Sequence, residues 1–249
     1  MLVDTHCHIH DANYPLDIGD VLTRARHAGV NQMICVGTSE QSSRDALVFA
    51  GNHEHIYAAI GVHPHDTQEG YAAIGELLTA GEKPVAIGEI GLDYFYTHSP
   101  REVQIKALEE QLELARRYGL PVIFHVREAF DDFWPIFDNF PGLRGVLHSF
   151  SDTQANADQA LTRGLYIGVN GISTFTKDPA QQAMYAGLPL ESMVLETDAP
   201  FLTPSPYRGT VNEPAFVRTV ADHHAMIRGV ELQQVAKVTS ANARALFAL

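Results

Sequence analysis

Cysteine is nearly absent: Cys7 and Cys35 are the two thiols in 249 residues. Two thiols build no disulfide framework, and without a Cys-x-x-Cys pair there is no zinc ribbon. Both lie in strand-like segments, where buried, reduced thiols of a cytoplasmic protein are expected. Basic residues are also few. Lys and Arg number 17 against 30 Asp and Glu, a net charge of −13. That argues against a broad basic surface for gripping duplex DNA, which needs Lys and Arg to neutralise phosphates. It does not exclude a nuclease, because bound divalent cations supply positive charge locally. No apolar run approaches the roughly 18 residues of a membrane span. The first residues lack a cationic region leading into an apolar stretch, so no secretory signal is expected. No P-loop occurs, and no Gly-x-Gly-x-x-Gly turn follows the first strand-like run. No linker, low-complexity segment or charge block divides the chain, so one domain over 1–249 is expected.

What is present has an ordinary globular balance, 45% hydrophobic and 19% charged. Short apolar runs rich in Val, Ile and aromatics fall at 2–8, 32–38, 56–62, 85–90, 122–126, 145–150, 165–169 and 193–197. They mostly do not alternate polar with apolar residues, as expected of strands covered on both faces. Helical signals lie between them, at 17–28, 39–50, 99–119, 129–139, 152–163, 178–186, 212–228 and 232–247. In the third, Ser99-Pro100-Arg101-Glu102 has capping-box spacing, Ile105, Leu108, Leu112 and Ala115 form the apolar stripe, and Gly119 is the stop. Eight strand–helix alternations predict an α/β fold, a single (β/α)8 TIM barrel. A doubly wound open sheet is the alternative, without its usual glycine-rich turn.

Ionisable residues recur at the ends of these runs. His6 and His8 close the first, and in a strand residues two apart share a face while Cys7 points the other way. His63 follows the third run, Glu89 ends the fourth, His125 the fifth, His148 the sixth and Asp198 the eighth. In a barrel of this kind the strand ends meet at the catalytic face. Even with His63 set aside, the four histidines and two carboxylates there exceed what one catalytic tetrahedral zinc with an open position uses. They suit two divalent ions: His6, His8 and Asp198 on the first, His125 and His148 on the second, Glu89 bridging. Two such metals activate a water and clamp the scissile group, and Asp198 can also accept the water's proton. Mixed nitrogen and oxygen donors admit Mg, Mn or Zn.

The same blocks resemble a known family. The His-x-His start, Gly-Glu-Ile-Gly-Leu-Asp-Tyr at 88–94, Pro-Val-Ile-Phe-His at 121–125, Val-Leu-His-Ser-Phe-Ser at 146–151 and Leu-Glu-Thr-Asp-Ala-Pro at 195–200 are similar to the TatD family. Its members are metal-dependent deoxyribonucleases of the amidohydrolase superfamily, and the likeness runs over essentially the whole chain. It implies a (β/α)8 barrel, divalent metals and ester hydrolysis, with 3′→5′ exonuclease action on DNA, its ends single-stranded, as the expected activity. The family's metal ligands fall on His6, His8, Glu89, His125, His148 and Asp198. Broader amidohydrolases often bridge their metals with a carboxylated lysine, but the fourth run holds Glu89 and no lysine. After Gly209 the family commonly carries basic residues. Thr210 and Val211 stand there instead, so fewer phosphate contacts are expected.

Other residues are open to two readings. Arg208, after the eighth run, is a phosphate contact or a surface brace. Arg127 reaches the same site or orients a ligand. His63 contacts substrate or a bridging water, or else supports a ligand from behind. Asp4 is expected to be structural or to hold a ligand by a hydrogen bond. Asp93 and Tyr94 shape the mouth or the scaffold. His10, His27, His53, His55, His65, His98, His223 and His224 are expected in solvated positions. Trp134 is expected to pack helix to barrel rather than stack a base. Three functions fit these residues: a two-metal phosphodiesterase on DNA ends, hydrolysis of another ester or amide such as an aminoacyl-tRNA ester, or a silent binding barrel. The intact six-residue set argues against the last.

Overall fold

The apolar runs become strands and the amphipathic stretches become helices in the computed structural model, which describes residues 1–81, 83–96 and 98–249. The strands are β1 Leu2–Cys7, β2 Val30–Val36, β3 Ile56–Ile60, β4 Ala86–Asp93, β5 Val122–Arg127, β6 Gly145–Leu147, β7 Tyr166–Val169 and β8 Met193–Leu195. They follow one another in sequence order within one eight-stranded sheet. The fold is the (β/α)8 barrel that the alternation predicts. The helices are α1 Ile18–His27, α2 Glu40–Gly51, α3 Ala73–Leu77, α4 Arg101–Tyr118, α5 Phe130–Asp138, α6 Gln154–Thr162, α7 Ile172–Phe175, α8 Pro179–Gly187, α9 Val217–Arg228 and α10 Leu232–Phe247. Two of them, α3 and α7, were not predicted, because four or five residues are too few to show a 3.6-residue period. No described helix is long and apolar enough to cross a membrane. Contacts divide the chain into two compact units, Met1–Ile34 with Ser149–Leu249, and Cys35–His148.

In the first unit, β7 and β8 pair in parallel with Ile167 opposite Met193 and Val169 opposite Leu195. Helix α10 buries Val235, Ala236, Ala243, Leu246 and Phe247. Asn242 Nδ2 donates to the carbonyls of Leu190 and Met193, each at 2.7 Å, which pins α10 where β8 begins. Helix α1 is tied by Arg24, whose guanidinium donates to both oxygens of Glu213 at 2.8 Å from Nε. Cys7 is fully buried and directs Sγ to the carbonyl of Ile34 at 3.5 Å, the side opposite its histidine neighbours.

In the second unit, β3, β4, β5 and β6 pair in parallel, with Gly91 opposite His125 and Asp93 opposite Arg127. Strand β4 runs three residues past the predicted 85–90, so Asp93 is a strand residue. Gly91 permits this: a Cβ there would lie 1.7 Å from the His125 carbonyl oxygen. The buried face of α4 is also turned from the predicted stripe. It holds Gln104, Ala107, Leu108, Gln111, Leu112 and Ala115, with Ile105 at its margin. The glutamines are buried because they satisfy backbone that the parallel ladder leaves open. Gln111 accepts the amide of Val62 at 2.8 Å, and Gln104 accepts that of Asp93 at 2.8 Å. Ser99 does not cap α4. Its hydroxyl donates to the carbonyl of His65 at 2.7 Å, and Pro100 takes the cap position.

Candidate functional site

Two donor sets stand on the barrel strands and the segments after them, one in each unit. Glu89 and His125, expected at strand ends, lie inside β4 and β5 because both strands run on past them. In the first unit, His6 and His8 project to one side, as the alternation predicts, and their Nε2 atoms lie 3.1 Å apart. Asp198 Oδ1 is 3.3 Å from His8 Nε2 and 3.8 Å from His6 Nε2. Backbone pairing brings the three together: Asp198 N donates to His6 O at 2.8 Å and His8 N to Ala199 O at 2.7 Å. Strand β8 ends at Leu195, short of the predicted 193–197, and Asp198 beyond it has a φ of +61°, a left-handed conformation. Such a conformation in a non-glycine residue persists where its surroundings over-determine it.

Asp4 supplies part of that determination. It is fully buried and accepts from the Thr197 hydroxyl at 2.6 Å, the Thr197 amide at 2.9 Å and the His6 amide at 3.3 Å. Burial holds its carboxyl well above the usual carboxylate range, against the pull of those hydrogen bonds. Of its two predicted roles, the structure supports the one in which it positions the His6 and Asp198 segments. Glu196, not singled out from the sequence, is buried and accepts the amide of Ser149 at 2.6 Å. Ser149 follows His148 in the chain and has a φ of +49°.

The second unit is organised by one carboxylate oxygen. Glu89 Oε1 lies 2.9 Å from His125 Nδ1, 3.5 Å from His63 Nε2 and 3.8 Å from His148 Nε2. Glu89, His63 and His148 are buried. His125 turns its other nitrogen, Nε2, to Asp93 Oδ2 at 2.9 Å, and the same oxygen receives His65 Nε2 at 3.0 Å. Asp93 is thus a partner of the cluster rather than only of the scaffold. His65 was predicted to be solvated. It instead stands edge to face with His63, ring centroids 4.3 Å apart. Nothing local marks it, since it lies in a loop and its partner Asp93 is 28 residues away.

The charge balance of this cluster is distinctive. Burial alone lowers the pKa of His125, but hydrogen bonds to Asp93 and Glu89 outweigh it and the net shift is upward. Burial would raise Asp93, yet hydrogen bonds from His125, the Tyr96 amide and His65 hold it below the usual carboxylate range. His63 is pushed well down, by burial and then by repulsion from His125, and is neutral at ordinary pH.

The predicted substrate contacts are both exposed. The Arg127 guanidinium rests 3.9 Å from the centroid of Phe95. Arg208 lies over Phe175 at 3.9 Å and donates to the carbonyl of Thr203 at 2.9 Å. Tyr94 donates its hydroxyl to Asp132 at 2.5 Å and is part of the scaffold. Two further histidines depart from the expected solvated positions. His10 is buried, with Nε2 3.3 Å from Asp11 Oδ1, and His224 is fully buried, with Nε2 3.1 Å from Ser173 Oγ. Trp134 is buried and stacks on Phe130 at 5.3 Å, the packing role predicted for it.

Both sets have the chemistry of a metal site. In the groups His6–His8–Asp198 and His63–Glu89–His125, one nitrogen or oxygen from each residue lies within 4.8 Å of the others. Imidazole and carboxylate are the mixed donors that Zn, Mn and Mg accept. A ligating histidine usually directs its second nitrogen to a carboxylate or carbonyl, as His125 does to Asp93. The carboxylates that draw a proton onto His125 are the groups a divalent cation would neutralise.

The family model described as TatD related DNase matches residues 3–248. The chain belongs to the TatD family. The metal-dependent hydrolase YabD of Bacillus subtilis is 35% identical over 253 residues, covering 99% of each chain. The 3′-5′ ssDNA/RNA exonuclease TatD of Citrobacter rodentium is 36% identical over 260 residues, covering 100% of this chain and 98% of its own. Among solved structures, the TatD homologue YJJV of Escherichia coli K12 superposes with a TM-score of 0.93 at 32% identity, covering 100% of this chain and 98% of that one. Membership of the TatD family makes the chain a metal-dependent hydrolase acting on ester bonds.

Proposed function

We propose that the chain is a divalent-metal-dependent deoxyribonuclease, a 3′→5′ exonuclease acting on single-stranded DNA ends as one domain over 1–249. The observation that carries the reading is the single Glu89 oxygen facing His125, His63 and His148. In this reading His6, His8 and Asp198 would hold one ion, His125 and His148 a second, and Glu89 would bridge them, the ions being Mg, Mn or Zn. Such ions, when bound, would supply Lewis-acid chemistry, with water acidified to a pKa of about 7 and charge on the scissile phosphate offset. Asp198 accepts the proton of the attacking water, as a carboxylate within reach of it can. His63, neutral at ordinary pH, meets the substrate beside Glu89. Arg127 and Arg208 contact phosphates through their planar forks. The family and the exonuclease named among its relatives support the substrate. The buried, reduced Cys7 and Cys35 are in keeping with a cytoplasmic setting.

A second reading keeps the donor sets and changes the substrate to another ester or an amide, an aminoacyl-tRNA ester included. The net charge of −13 and the uncharged Thr210-Val211 pair keep it open, most of all for an ester or amide that carries few phosphates.

The deciding experiment incubates the protein with Mg²⁺ or Mn²⁺ and end-labelled single-stranded DNA, beside Glu89→Ala. Stepwise shortening from the 3′ end, lost in the variant, is expected. Equal shortening by both would assign the activity to a contaminant and overturn the proposal. Intact DNA with hydrolysis of an aminoacyl ester would move the assignment to the second reading. Metal content by mass spectrometry tests the donor sets separately: they fail if wild type carries no more metal than His6→Ala/Glu89→Ala.

A further inference from the structure

Two aromatic rings beside the Glu89 cluster have no role in the chemistry above. Phe95 is 49% exposed and Tyr96 is 42% exposed. Their rings meet edge to face with centroids 4.7 Å apart. Arg127 covers Phe95 at 3.9 Å from its centroid and lies 5.0 Å from that of Tyr96. Tyr96 stands 5.3 Å from the ring of His65 and stacks on His98 at 5.8 Å.

The pair is positioned by the same residue that positions the donors. The amides of Phe95 and Tyr96 donate to Asp93 Oδ1 at 3.0 and 2.9 Å, while Asp93 Oδ2 receives His125 and His65. One buried carboxylate therefore sets both the orientation of His125 and the turn that presents the two rings. Burial in the core does not explain them, since their contacts with Arg127, His65 and His98 leave both rings exposed. The aromatics of α5, Phe130, Phe133, Trp134 and Phe137, are buried, whereas Phe95 and Tyr96 hold large apolar area in water beside a hydrolytic site. Adjacent exposed apolar groups point to a ligand more than one scattered side chain does.

We infer that Phe95 and Tyr96, backed by Arg127, form a stacking platform for an unpaired base of a single-stranded nucleic acid. The inference rests on the nuclease reading and deepens it. Every base has a π-face, so such a platform binds without sequence preference. The guanidinium stacks on one ring by cation–π attraction and keeps its N–H edges for a phosphate. Bases within a duplex are already stacked on one another and are not available to the rings. The platform thus selects single strands and lets a chain of charge −13 hold a polyanion without a basic surface.

The test uses metal-loaded protein and a phosphorothioate-linked single strand that resists hydrolysis, with 2-aminopurine as its 3′ base. Wild type, Phe95→Leu/Tyr96→Leu and the ring-keeping Phe95→Tyr/Tyr96→Phe are compared. Quenching of 2-aminopurine by wild type is expected, with Kd about 5- to 150-fold higher in the leucine variant, from the roughly 1–3 kcal/mol that stacking contributes per base. The ring-keeping variant should bind like wild type. Affinity for a base-bearing 3′ end over an abasic one should fall towards equality in the leucine variant only. The inference is overturned if wild type gives no quenching, if the leucine variant binds as tightly as wild type, or if base-bearing and abasic ends weaken equally. Quenching without any shortening of ordinary DNA would keep the platform and remove the nuclease reading. Shortening of DNA without quenching would remove the platform alone.

Discussion

Asp93 Oδ2 lies 2.9 Å from Nε2 of His125, and that contact leaves Nδ1 as the nitrogen facing Glu89. A carboxylate in this position accepts the Nε2 proton and keeps the Nδ1 lone pair available. Asp93→Asn removes the charge and adds a competing donor. We expect metal affinity and kcat/KM to fall together by about 10- to 100-fold. Calorimetric titration with Mn²⁺ beside steady-state kinetics checks this. Unchanged metal affinity would show that Asp93 braces the fold only.

Gly91 is required by space. Its Cβ would meet the His125 carbonyl oxygen at 1.7 Å, so Gly91→Ala forces β4 and β5 apart at the donor set. The expected cost is about 3 kcal/mol or more, an overpacking loss at the upper end of the usual range. Gly29→Ala is the control. Its φ is +82° with no atom within 4 Å of a Cβ, so backbone strain of about 1–2 kcal/mol is expected alone. Urea unfolding of both variants measures the difference.

Thr197 offers both its amide and its hydroxyl to the buried Asp4. Thr197→Val keeps the shape but deletes the 2.6 Å hydroxyl bond. Leaving a buried acceptor short of a donor costs about 1–3 kcal/mol. The variant should lower the urea midpoint without changing the m-value. An unchanged midpoint would mean that water replaces the hydroxyl.

His224 makes stability depend on pH. Burial, helped by Arg228 and His223, pushes its pKa down to about 3 from 6.5. Between these values the unfolded chain binds a proton that the folded chain does not. Stability is therefore lost as pH falls through this window, by up to about 1.4 kcal/mol per pH unit from this group, and is fully present above it. His224→Gln removes the titration while offering Ser173 a partner. Between pH 6 and pH 5 wild type should lose about 1 kcal/mol more than the variant in urea unfolding. Equal losses would show that His224 takes up its proton in the folded state.

Local pattern carried much of this protein. The eight apolar runs foretold β1 to β8 because burial on both faces leaves a mark in consecutive residues. His6 and His8 were legible as a pair because a strand's period is two, and Glu89, His125, His148 and Asp198 because each interrupts or follows an apolar run. The helical signal at 39–50 became α2, which Ser39 caps by accepting the amide of Ser42 at 3.1 Å.

Tertiary structure decided the rest. His65 follows a proline in a loop, where no period applies, and only the length of β4 brings Asp93 to it. Gln104 and Gln111 lie outside the predicted apolar stripe, and only the fold brings the amides of Asp93 and Val62 to them. Arg127 and Arg208 looked alike as cations near a site, and only the fold shows each on an aromatic ring. Sequence by itself determined which residues could carry metal chemistry and which elements bear them, because these follow from residue type and short-range period. Which oxygen faces which nitrogen was decided by the folded chain alone, because hydrogen-bond partners many residues apart meet only when parallel strands set their register.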